Sequence, residues 1–506
     1  MGIDVSSYRE EAEGFTAEIS REHYLHLAGR KRELELEPIY ERHRRLFELQ
    51  AVAALRETLD GAAGEERRRL RYLTHFAVEG LVGLRIRREA EELARLEASL
   101  EVTVDGEAVG YRQVAVRLAN EPDSERRAEL AAARDEVLAE RLNPIHLEAF
   151  GRSREALREL GWAGPAAAYA ELRDLDLEAL VDRTRALLEG TEAGYPLVLG
   201  PGLERAGAPP FDRLRRSDLP RFFRAAHLDG PFRPDRMLPA LVESLGGLGI
   251  DLAAQPNVTV DAEERPTKTP RAFCSTPRVP SEIYLVIAPV GGRGDFEALF
   301  HEAGHAEHYA HVDPRLAFEY RHLGDNAVTE SFAFMLERLV AEPAWLGSRV
   351  RAADPAAVAA HERAAKLVMV RRYCAKLAYE LELGAADAPL DRMPGRYQEH
   401  LQAATRAEWP AVSWLDDVDS GFYVACYLRA WALEVHWRRA LHERFGERWF
   451  DSEAAGAWLR ELWRAGQRLD AEELLAERLG EELDFGLLAE ELTGAAQPPN
   501  LRQPSL

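Results

Sequence analysis

The chain has 506 residues, 46% hydrophobic and 30% charged, with a formal net charge of -22 and a pI near 5.3. That length suits about three average domains, and the composition is that of an ordinary globular protein. So acidic a surface repels phosphate backbones and argues against nucleic acid, and no run approaches the ~18 apolar residues of a membrane span, so no membrane partner is expected.

In chain order, the opening residues MGIDVSSYREEAEGF have no apolar core and carry early acids, unlike a secretory signal. Residues 8–60 and 64–99 are rich in Glu, Arg, Leu and Ala at helical spacing, which predicts helix. Thr103–Gly110 (TVDGEAVG) reads as a short hairpin or turn, and helical patterns resume over 123–160 and 166–190. The Gly- and Pro-rich stretch 195–212 is the best candidate boundary, and helices follow at 217–226 and 235–248. Residues 282–288 (EIYLVIA) are β-branched and aromatic between Pro280 and Pro289, which predicts a strand. Helix dominates from 295 to about 493, and the tail from Gly494 is expected to be disordered. The fold class is therefore mainly α with a minor β element.

Three cysteines (Cys274, Cys374, Cys426) lie far apart with no CxxC spacing. This excludes a disulfide framework and a cysteine-rich zinc site, and it fits a reducing, cytoplasmic setting.

The chemistry concentrates in DFEALFHEAGHAEHYA, residues 295–310, which contains an HExxH. On a helix, positions i and i+4 share a face, so His301 and His305 can reach one Zn²⁺, with Glu302 placed as the base for water. Phe296, Leu299, Phe300 and Ala303 supply apolar positions, and Asp295 is a candidate N-cap. His311 lies ten residues beyond His301, about 15 Å up an unbroken helix, and cannot share the ion. The better candidate for a third ligand is Glu330, from a second predicted helix, 327–340 (AVTESFAFMLERLV), although a lone glutamate there ordinarily reads as an exposed acid. Glu337 follows two turns on, near the same face.

HEAGHAEH resembles the HExGHxxH of the thimet oligopeptidase and oligoendopeptidase F family of zinc peptidases, with Glu330 25 positions after His305. ESFAFMLE, RAFC (271–274) ahead of EIYLVIAPVGG, and Gly421–Tyr427 (GFYVACY) are similar to further family motifs. The resemblance covers residues 265–340 and 414–435 closely and the rest only in helical character. It implies one Zn²⁺ per chain on His301, His305 and Glu330, and short unfolded peptides as substrates. It also implies a helical ellipsoid with a deep channel, walled by an N-terminal region 1–200, with a catalytic domain 201–493 and a tail 494–506. Strand 282–288 is expected to line the channel and pair with the substrate backbone.

The family takes an oxyanion donor from its C-terminal helices, which points to Tyr423 and Tyr427, each with aromatic packing as its alternative. The family's upstream histidine is replaced here by Asp417, and Arg429 is a candidate substitute donor. His308 and Glu337 are candidate groups to orient the ligands, Asp325 is either such a group or a helix cap, and Cys274 reads as a small buried side chain. Two further readings stand beside the oligopeptidase: a carboxypeptidase on a related helical HExxH fold, and a catalytically weakened zinc-containing peptide-binding protein.

Overall fold

The structure, a computed structural model, describes residues 3–494. The expected tail, 494–506, lies outside the described residues apart from Gly494. Contacts divide the chain into two units, which do not follow a boundary near residue 200. The first gathers the described part of Met1–Leu81 with Ala226–Ala359 and Arg429–Asp484; the second gathers Val82–Ala225, Ala360–Leu428 and the described residues from Phe485. The stretch 195–212 holds a helix, Tyr195–Arg205, inside the second unit. Pro196 stands in its first turn, where the missing N–H costs nothing. Gly202 admits the ring of Phe222, because a Cβ there would lie 2.6 Å from it.

In the first unit, α1 (Val5–Leu27) begins at Asp4, whose carboxylate accepts from the Ser6 and Ser7 N–H groups. It packs on a three-stranded sheet of β1 (Val258–Asp261), β2 (Phe273–Arg278) and β3 (Glu282–Val286). Tyr24 of α1 stacks on Tyr284 of β3 with centroids 3.7 Å apart, beside Ala28 and Val286. The strand order is β1-β3-β2, with β3 parallel to β1 and antiparallel to β2.

This corrects one expectation. The predicted strand at 282–288 exists, but it is the central strand, and both its edges are already paired. It therefore has no edge for a substrate. Among the described residues no strand pairs with the outer edge of β2.

After β3 come α2 (Arg293–Ala310) and α3 (Asn326–Glu337). α2 lies against β2 and β3 and packs extensively on α3. It starts two residues before the expected cap; Asp295 instead accepts the Gly291 N–H at 2.9 Å and closes the preceding loop. Phe296, Leu299 and Phe300 are fully buried, as their spacing predicts, and each such side chain stabilises the fold by about 1.5–3 kcal/mol. α3 is buried on every side from Ala327 to Leu336.

The second unit is also mainly helical. Its hairpin, Glu101–Val104 with Glu107–Gly110, turns at Asp105 and Gly106, whose φ values of 53° and 78° fit the Asp-Gly hairpin turn. Its inward residues Val102, Val104 and Val109 close over Leu96, Val114 and Leu138. Mainly α with small sheets is thus the observed fold class.

Candidate metal centre

Three consecutive polar residues, Thr329, Glu330 and Ser331, sit inside the wholly buried α3. Buried polar groups are costly unless bonded, so each needs a partner. The Ser331 hydroxyl donates to the Val328 carbonyl at 2.7 Å. Thr329 and Glu330 turn instead to α2. They reach it because Gly304, the glycine of the HEAGH segment, has no side chain: a Cβ there would lie 2.6 Å from Ala333 Cα and 2.7 Å from the Phe332 carbonyl oxygen.

That close approach assembles the ligand set expected from the sequence. His301 Nε2 lies 3.5 Å and His305 Nε2 3.7 Å from Glu330 Oε2, and the three ligand atoms fall within 4.8 Å of one another. Such separations exceed an N–H···O hydrogen bond of about 2.7–3.2 Å. They lie close to the edge of a tetrahedron whose corners are about 2.0–2.2 Å from a zinc ion, an edge of about 3.3–3.6 Å. The donor set therefore fits the metal. Among the described residues no other group of three potential ligands converges in this way.

The far nitrogens are fixed as well. His301 Nδ1–H donates to Glu337 Oε2 at 2.8 Å, so Glu337 takes the orienting role expected for it. His305 Nδ1 lies 2.9 Å from the Thr329 hydroxyl, which also bonds to Tyr309. With both Nδ1 atoms engaged, both Nε2 atoms face Glu330. Thr329 was not singled out from the sequence; its place immediately before Glu330 was the available signal.

Burial opposes a charged His301 ring, but Glu330 and Glu337 outweigh it and hold its pKa up to about 10. Burial pushes His305 down to about 4. These shifts favour a proton on the His301 ring and a neutral His305 ring, and a metal cation bound here would take the place of that proton. Glu302 accepts the Cys274 N–H of β2 at 2.8 Å, and burial pushes its pKa up to about 7. It is a carboxylate anchored through one oxygen and balanced near neutrality. A cleft of about 620 Å³, lined in part by His301, Glu302, Glu337 and Arg271, opens over these groups.

The remaining candidates divide. His311 caps α2 and bonds the Glu307 carbonyl at 2.8 Å, away from the ligands. His308 is core: it is fully buried against Phe332 and Tyr309. Asp325 is the cap of α3, accepting from Ala327 N–H at 3.0 Å. Cys274 is an inert thiol whose pKa burial raises well above normal. Arg429 is corrected as a donor candidate, because its buried guanidinium is spent on Asp325, at 2.8 Å, and on Glu472. Asp417 is held by Arg372 and by the Tyr397 hydroxyl at 2.7 Å. Tyr423 and Tyr427 belong to the second unit, their rings in edge contact at 5.0 Å, as one turn of separation predicts.

No protein-family model matches the sequence, and no curated protein matches it. Among solved structures, a carboxypeptidase of Pyrococcus furiosus (apo-Mg) is similar, with a TM-score of 0.63 and 15% identity. The likeness covers 98% of this chain and 99% of that one, so the two share their fold over nearly the whole length. The resemblance to the oligopeptidase family rests on its motifs alone.

Proposed function

We propose that the chain is a zinc-dependent peptidase acting on short unfolded peptides. The observation that carries this reading is the convergence of His301, His305 and Glu330 beside the anchored carboxylate of Glu302. Two imidazoles and one carboxylate suit zinc, whereas magnesium prefers oxygen ligands throughout. Zinc held there supplies Lewis acidity, which polarises a scissile carbonyl and acidifies water. Glu302, held by the Cys274 N–H beside the candidate ligands, takes a proton from water and returns it to the leaving amine. The outer edge of β2, whose Cys274 N–H holds Glu302, is the proposed track for an extended peptide. Tyr423 and Tyr427 stay as proposed oxyanion donors on the strength of the motif resemblance.

A second reading, removal of C-terminal residues, is favoured by the fold shared with the carboxypeptidase. The three free cysteines support a reducing, cytoplasmic setting, and no described helix is long and apolar enough to cross a membrane. Elemental analysis of the purified chain, followed by a quenched-peptide library assay with and without added zinc, tests the proposal. One zinc per chain with zinc-dependent cleavage is expected. Failure to bind zinc after reconstitution refutes it, and zinc bound without cleavage leaves a peptide-binding protein.

A further inference from the structure

Four of the five other charged or titratable side chains lining the metal cleft are acids, and all five are engaged. Asp295 accepts the Gly291 N–H, Glu297 pairs with Arg293, Glu302 accepts the Cys274 N–H, and Glu337 holds His301. Arg271 is different. It is exposed, lines the same cleft, and has no side-chain hydrogen bond or ion pair among the described residues. A solvated arginine is ordinary on an open surface. Here, among the described residues, it is the sole Lys or Arg lining the cleft that holds the candidate ligand His301 and the candidate base Glu302.

Its place along the chain gives it a direction. Arg271 stands three residues before Cys274, whose N–H anchors Glu302, so the two Cα atoms are at most about 10 Å apart on an extended backbone. A peptide laid antiparallel on the outer edge of β2, the commoner pairing, points its C-terminal end toward Arg271. The guanidinium then lies toward the leaving-group side of the bond that Glu302 serves. A planar fork of N–H donors is suited to a carboxylate, which it grips with two parallel bonds.

We propose that Arg271 binds a carboxylate of the substrate on the leaving-group side of the cleaved bond. The inference rests on the peptidase reading and deepens it, because it names the substrates as peptides with an anionic end. That carboxylate belongs either to the peptide's C-terminus or to an acidic side chain there.

The test uses the full chain loaded with zinc and N-acetylated tripeptides as free acids, as C-terminal amides, and as amides ending in glutamate. The wild type is expected to prefer free acid over neutral amide by about 10- to 100-fold in kcat/KM. Arg271→Gln brings that ratio near one, with Arg271→Lys between. If the glutamate amide is the preferred form and Arg271→Gln removes the preference, the carboxylate is a side chain's and Arg271 is still its cation. Equal free-acid, glutamate-amide and neutral-amide ratios in wild type and Arg271→Gln overturn the proposal. Calorimetry on metal-free protein separates this from the peptidase reading. N-acetylphenylalanine should bind more tightly than its amide, and Arg271→Gln should erase the difference. If no peptide is cleaved, the peptidase reading fails, while that difference, present or absent, still decides the role of Arg271.

Discussion

Gly304 of α2 faces Ala333 of α3 so closely that a Cβ would lie 2.6 Å from Ala333 Cα. The atom in the way is backbone, not the end of a flexible side chain, so the helices themselves must part. Gly304→Ala should therefore separate Glu330 from the two histidines and cost about 1–3 kcal/mol of stability. Zinc content and thermal melting check this. A variant with wild-type zinc and an unchanged Tm would show that the approach of the helices is not what builds the site.

The groups behind the ligands should matter nearly as much as the ligands. Glu337→Leu or Thr329→Val leaves all three ligands in place but frees a histidine ring to turn. Each is expected to weaken zinc affinity by about 10- to 100-fold, measured by competition with a chromophoric chelator. Unchanged affinity in both would make these contacts incidental.

How much of this was legible follows from what each feature depends on. His301, Glu302 and His305 lie on one helix, where spacing alone sets their faces. Glu330 needed the motif resemblance, since a lone glutamate in a helix is otherwise an exposed acid. Gly304 and Thr329 act across two helices, so their roles appear only when α2 and α3 are brought together. The strand at 282–288 was legible as a strand but not as the central one. Its neighbour Val258–Asp261 is short, Phe273–Arg278 (FCSTPR) carries a proline and little apolar content, and the pairing of β1 with β3 is parallel, across a long connection. Arg429 was misread because the acids that bind it, Asp325 and Glu472, are distant in sequence.

The two tyrosines carry the oxyanion chemistry of the proposed mechanism. If one is the oxyanion donor, its Tyr→Phe variant should lower kcat by about 10²–10³-fold with little change in KM. The other should lose little activity, since its ring contact survives. Near-wild-type kcat in both Tyr423→Phe and Tyr427→Phe would remove both from the mechanism.

A structural prediction concerns Asp261 at the end of β1. Burial disfavours its charged carboxylate, but Arg265, Lys268 and Arg30 outweigh this and hold its pKa down to about 2. A carboxylate whose pKa is depressed on folding adds stability above its unfolded pKa of about 4 and loses it as pH falls toward 2. The contribution is on the order of 2 kcal/mol. Asp261→Asn should therefore be less stable than wild type at pH 7, with the gap narrowing from pH 4 to pH 2. Chemical denaturation across that range decides it, and a gap that does not change with pH would contradict the assignment.

The central claim is that Glu302 is the base of a metal-dependent hydrolysis, and Glu302→Gln tests it most directly. The amide keeps the shape of the side chain and lies outside the three ligands, so zinc content should remain at one per chain. Peptide turnover, measured on the same zinc-loaded sample, should fall by about two orders of magnitude or more. Hydrolysis by Glu302→Gln at the wild-type rate, with zinc bound, would contradict the account.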